Sequence, residues 1–125
     1  MKGSTNAQPS VPISNQVVYQ NRQTVSLSSG TVIAPLSWTC TADGAYLVEG
    51  TVETQDAPVN TNLILGLGID NPNGEWSQQA AGGGPIRINA CRIYGLSSGQ
   101  TVTLNIYSSS AVSTTDVVLS IVRLT

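Results

Sequence analysis

The chain has 125 residues, of which 40% are apolar and only 10% charged, with a formal net charge of −2, no histidine and no phenylalanine. That length predicts one domain, able to bury roughly two-thirds of its unfolded surface without cross-links. Five cations without a basic stripe exclude charge-driven nucleic-acid binding, and the missing histidine removes His-dependent triads, His general bases and most zinc sites.

The remaining composition is largely Ser, Thr, Asn, Gln and Gly, which suits pleated sheets and short turns. No segment sustains the i, i+3, i+4, i+7 apolar spacing of a helix, so an all-β chain is expected. No apolar run approaches the roughly 20 residues that span a membrane, and no membrane partner is expected. After Lys2, the segment Gly3-Ser4-Thr5-Asn6-Ala7-Gln8-Pro9 lacks an apolar signal-peptide core, which predicts folding in a cytosol. In that compartment Cys40 and Cys91 are expected as free, buried thiols.

Residues 1–16 read as an N-terminal arm preceding a domain over 17–125. Pro9 and Pro12 break any regular element there. The arm is expected either on a neighbouring subunit or larger assembly, or against its own domain. In the first case Pro9, Val11, Pro12 and Ile13 are the candidate contacts. Val17-Val18-Tyr19 opens the domain, Asn21-Arg22 predicts a turn, and 24–28 alternates until Ser29-Gly30 stops it. Residues 31–34 form a strand that Pro35 confines to an edge or kinks.

The run from Trp38 to Val52 organises the reading. Asp43-Gly44 predicts the tight turn of a hairpin. Beyond it Tyr46, Val48 and Val52 point one way, and Glu49, Thr51 and Glu53 the other. Leu47 breaks the polar face. Trp38 and Tyr46, among the bulkiest side chains present, are expected to seed the core.

A loop over 55–61 precedes a strand over 62–70. There Leu63, Leu65, Leu67 and Ile69 share one face. Ile64, Gly66 and Gly68 share the other, which is open to close approach by a backbone or bulky side chain. Asn71-Pro72-Asn73-Gly74 predicts a turn, 75–79 a short polar piece, and 80–84 a flexible glycine loop. The next strand, 86–94, puts Arg87 and Arg92 on opposite faces, with room for a bulge near Ala90. A turn at 95–99 leads to 101–107, whose inner face is Val102, Leu104 and Ile106. After a Ser-rich loop over 108–115 comes the last strand, 116–124. It is apolar on both faces: Val117, Leu119 and Ile121 on one, Val118, Val122 and Leu124 on the other. Two buried faces imply cover from two sides, one being the domain's own core and the other a partner subunit. About eight strands with regular turns predict an antiparallel β-sandwich or barrel, and strand counting does not separate a jelly roll from an immunoglobulin-like sandwich.

Possible chemistry is sparse. Asp70-Asn71-Pro72-Asn73-Gly74-Glu75 gathers oxygen ligands but lacks the length and alternation of a calcium loop, so a solvated turn is expected. Glu49 and Glu53 lie about 13 Å apart along a strand, too far for a glycosidase pair. The glycine run lacks the Lys-Ser/Thr of a phosphate loop. Trp76 reads as a plug in a subunit seam or a sugar-stacking platform. No cofactor, metal site or enzymatic activity is expected.

Three pieces, in order, resemble the tumour-necrosis-factor-like superfamily, which includes the globular head of complement collagen-like proteins. Asp43-Gly44-Ala45-Tyr46-Leu47-Val48 resembles its Gly-x-Tyr strand. Leu96-Ser97-Ser98-Gly99-Gln100-Thr101-Val102-Thr103-Leu104 resembles its leucine, turn, glycine, polar-Val-x-Leu strand, and 116–124 its closing strand. The likeness covers about residues 36–125. The chain departs from it in lacking phenylalanine and a collagen-like stem. The resemblance implies a jelly roll and a homotrimer, with Val118, Val122 and Leu124 at the threefold interface. Similar small trimeric jelly rolls serve bacteriophages as capsid decoration (cement) proteins, head fibres and receptor-binding fibre tips. The expectation is therefore a phage virion structural protein on the capsid exterior, partnered by the major capsid protein or another virion protein. The alternative is a fibre head that binds host-surface glycan.

Overall fold

The computed structural model describes residues 15–70 and 76–125. These form eight strands: β1 (Gln16–Leu27), β2 (Thr31–Thr39), β3 (Gly44–Thr54), β4 (Ala57–Ile69), β5 (Trp76–Gly84), β6 (Arg87–Leu96), β7 (Thr101–Ser108) and β8 (Val112–Arg123). They pair antiparallel into two four-stranded sheets, sheet A in the order β1-β8-β3-β6 and sheet B in the order β2-β7-β4-β5. The sheets stack as a sandwich. All-β class, antiparallel pairing and eight strands match the sequence expectation.

The core follows from the period-two patterns. Tyr46, Val48 and Val52 of β3 face Leu63, Leu65 and Leu67 of β4 and Val102, Leu104 and Ile106 of β7, and Val117, Leu119 and Ile121 of β8 complete the layer. Each such side chain contributes roughly 1.5–3 kcal/mol on burial. Pro35 lies on edge strand β2, inside the register shift between Ile33 and Leu36, where its missing N–H leaves no ladder bond unmade.

Several local expectations give way to long-range pairing. Asn21 and Arg22 make no turn, because they pair with Leu119 and Val118 in the middle of β1. Residues 57–60 are strand rather than loop. The chain absorbs its turn residues there as an irregularity between Ala57 and Thr61, with Asn60 at φ 63°. Residues 80–84 are not a flexible loop. They complete edge strand β5, and Gly83 is needed because a Cβ there would press on the Val59 backbone. Strand β8 begins at Val112, within the expected Ser-rich loop. No bulge forms near Ala90: the β3–β6 register runs unbroken from Gly44↔Leu96 to Glu53↔Arg87. Arg92 consequently shares the inward-facing row of Ile88 and Ala90 and reaches solvent from an edge strand. Cys40 is buried, but Cys91 is exposed on the outer face of β6; both thiols are free.

The Asp43-Gly44 hairpin is likewise replaced. β2 pairs with β7, and β3 with β6 and β8, so residues 40–43 carry the chain from sheet B to sheet A. This corner is tied from several directions. The Cys40 N–H donates to Gln100 O at 2.7 Å, the Gly99 N–H to Cys40 O at 2.8 Å, and the Ser98 N–H to the Asp43 carboxylate at 2.8 Å. The Arg123 guanidinium donates to Asp43 O at 2.8 Å. Trp38 and Tyr46 then meet across the two sheets, ring centroids 5.4 Å apart and tilted by 56°, rather than across a hairpin. Tyr46 is 1% exposed, and its hydroxyl donates to Ala42 O at 2.5 Å.

Gly66 on β4 shows why the second face of that strand lacks bulk. A Cβ there would collide with Oδ1 of Asn105, its register partner on β7, and Asn105 is itself buried. Gly66→Ala is expected to destabilise the fold by about 1–3 kcal/mol, the usual cost of overpacking. Most of that loss should be absent when Asn105 is also Ala, a coupling read from urea midpoints in a double-mutant cycle.

Burial pushes the Tyr46 phenol above its ordinary 10.0; the Cys40 thiol pushes the same way, and Arg123 opposes. The folded state therefore holds this proton more tightly than the unfolded state. The stability it contributes is fully present below about pH 10 and falls as pH rises through the higher folded value. Tyr46→Phe should lose about 1 kcal/mol at neutral pH with the hydrogen bond. It should also show a weaker alkaline decline than the parent, measured by urea unfolding on both sides of pH 10.

Candidate interaction surfaces

The functional candidates lie on the outer faces of the two sheets, and cross-strand register builds them. On sheet A, Val17 pairs with Val122, Val122 with Leu47, and Leu47 with Ile93. One apolar band thus crosses all four strands. Val17 is 55% and Ile93 65% exposed, while Val122 and Leu47 between them are half-buried. Leu124, just past β8, donates its N–H to Ala45 O at 2.8 Å and extends the band by one residue along the chain. The side chain that broke the polar face of β3, Leu47, is a member of this band.

Next to the band runs a polar row, Gln20–Ser120–Glu49–Cys91. Beyond it come Arg22–Val118–Thr51–Asn89 and Thr24–Asp116–Glu53–Arg87. Asp116 and Glu53 are direct cross-strand neighbours, an unfavourable pairing of like charges. The flanking cations offset it: Arg22 lies 3.6 Å from Asp116, and Arg87 lies 3.6 Å from Glu53. The Thr24 hydroxyl also donates to Asp116 at 3.0 Å, and the Thr51 hydroxyl to Asn89 at 2.6 Å. These pairs are largely solvated, so each contributes at most about 1 kcal/mol. Together they ring a depression of about 270 Å³ that Val118 also lines.

The three side chains expected at a partner interface are therefore not one patch. Val122 and Leu124 belong with the apolar band. Val118 lies two rows away, among charged and hydroxyl groups. Sequence reading missed Val17 and Ile93, because only the pairing of β1 and β6 through β8 and β3 brings them into line. The expected arm contacts Pro9, Val11, Pro12 and Ile13 lie outside the described residues. Trp76 opens β5 in register with Leu67. Of the expected solvated turn over 70–75, residues 71–75 lie outside the described residues and Asp70 is described: its carboxylate accepts the Thr101 N–H at 2.8 Å, and its own N–H donates to Thr101 O at 2.8 Å. It ties the end of β4 to β7. Asp43 is similarly occupied at its corner, its carboxylate accepting the Ser98 N–H and its carbonyl the Arg123 guanidinium.

Charge is segregated between the sheets. Every Asp, Glu, Lys or Arg within a strand belongs to sheet A: Arg22, Glu49, Glu53, Arg87, Arg92, Asp116 and Arg123. The strands of sheet B contain none.

Compared with protein-family models and with curated proteins, the chain matches none.

Proposed function

We propose that the chain is a structural component of a bacteriophage virion, a jelly-roll subunit that associates as a homotrimer and decorates the capsid exterior. The strand orders β1-β8-β3-β6 and β2-β7-β4-β5 support the jelly-roll reading, since each eight-stranded jelly roll splits two Greek keys between two facing sheets. The motifs carrying the resemblance fall on β3, on the β6–β7 turn with β7, and on β8. Self-association is carried by one observation, the band Val17–Val122–Leu47–Ile93. An apolar strip spanning a whole sheet, flanked by hydroxyl and charged rows, has the composition of an interface centre with a polar rim. The virion setting and the capsid partner rest on the family resemblance and on the Pro-bearing arm.

The mechanism is mechanical. A trimer that binds the assembled shell and not its dissociated subunits stabilises the shell by mass action, by about 2.7 kcal/mol at a free concentration one hundred times its dissociation constant. The arm adds contact area across neighbouring coat subunits.

Two experiments test this. Sedimentation equilibrium at micromolar concentration is expected to give a trimer. Ile93→Lys, which alters a solvent-exposed side chain, should give a monomer with an unchanged circular dichroism spectrum; a monomeric parent chain would overturn the reading. Deleting residues 1–14, which leaves all of β1, should keep the trimer but abolish co-sedimentation with capsids. Undiminished occupancy would remove the arm from the mechanism.

A further inference from the structure

The outer face of sheet B differs in chemistry from that of sheet A, and it is not flat. Val32 of β2, Tyr107 of β7, Ile64 of β4 and Gln79 of β5 form one cross-strand row. The adjoining row is Asn105–Gly66–Ser77. The Asn105 amide lies over Gly66, where a Cβ would meet its Oδ1, and Val32, Ile64, Ser77 and Tyr107 stand around it. The result is a concavity of about 250 Å³ lined by Val32, Ile64, Gly66, Ser77, Asn105 and Tyr107.

The lining specifies a ligand class. Val32, half-exposed at 49%, joins Ile64 and the Tyr107 ring as apolar surface. Asn105, 4% exposed, brings an amide, and Ser77 and Tyr107 bring hydroxyls. Among the described residues none of the four strands carries a charge, so an ionised ligand finds no counter-charge on them and gains little on desolvation. The volume falls just short of the range of drug-sized sites, about 300–1,000 Å³, which suits a single ring. A neutral ring with hydroxyls around its edge and C–H groups on its faces satisfies all three constraints.

We propose that this concavity binds one neutral pyranose residue of a glycan. Val32, Ile64 and Tyr107 pack against the C–H face of the sugar. The Ser77 and Tyr107 hydroxyls exchange hydrogen bonds with its hydroxyls, fixing its orientation. Ser77 immediately follows Trp76 in the chain. The site lies on the face opposite the apolar band, and so stands or falls independently of trimer formation.

The test is a heteronuclear NMR titration of the full chain with glucose, galactose and N-acetylglucosamine, with glucuronate and glucosamine as charged counterparts. Saturable shifts are expected for the backbone amides of residues 32, 64, 66, 77, 105 and 107 with at least one neutral sugar, with a millimolar dissociation constant. The charged counterparts should bind at least tenfold more weakly. Ser77→Arg, at an exposed rim position, should reduce the affinity at least tenfold while leaving the thermal midpoint unchanged. Absence of saturable shifts with every neutral sugar at about 100 mM, roughly a hundredfold above a millimolar constant, would overturn the proposal. So would equal binding of the charged sugars, or binding that survives Ser77→Arg.

Discussion

The insertion of β8 between β1 and β3 is the contact on which the rest of the molecule depends. It holds the centre of sheet A, buries Val117, Leu119 and Ile121 completely, and fixes which outer-face residues become neighbours. Among the hydrogen-bonded strand neighbours of the described residues, only β4 and β5 are consecutive in the chain. All other pairings close long loops, so their entropy is lost before their contacts are gained. Both surfaces of sheet A are products of that one register. Val122 joins Val17 to Leu47, and Asp116 is set against Glu53 between two arginines. A slip of one residue would turn the apolar core row to solvent and scatter the band.

What was legible in the sequence was whatever local periodicity determines. The alternation in β3, β4, β7 and β8 identified the inner faces correctly, and Pro35 marked an irregular edge. Gly66 and Gly68 announced a face open to close approach, filled at Gly66 by Asn105. What was not legible is pairing at a distance. Asn21-Arg22 and residues 57–60 carry turn chemistry but lie within ladders whose partners are remote, and pairing outweighs propensities worth a fraction of a kcal/mol. Asp43-Gly44 does change the chain's direction, but between layers instead of within one. For the outer surface, the sequence held one trace, the apolar Leu47 in a polar row. Val17 and Ile93 showed nothing, since an exposed apolar residue at a strand end is unremarked until its cross-strand neighbours are known.

The two outer faces carry unlike chemistries on one scaffold. Sheet A combines an apolar strip with solvated ion pairs, the makeup of a surface that meets another protein. The described strands of sheet B offer amides, hydroxyls, glycines and aliphatic groups without a formal charge, and a concavity lined by Gly66 and Asn105. Stacking the sheets back to back puts the proposed assembly contact and the proposed ligand contact on opposite faces of one small domain, where neither blocks the other.

Segregating the charges also decides how the domain answers its ionic surroundings. At physiological ionic strength, electrostatic influence fades within about 8 Å, shorter than the roughly 10 Å that separates packed sheets. Dissolved electrolyte therefore acts on one layer, loosening Arg22–Asp116 and Glu53–Arg87. The other layer, held by apolar burial and backbone hydrogen bonds, has no charge on its strands for dissolved ions to screen.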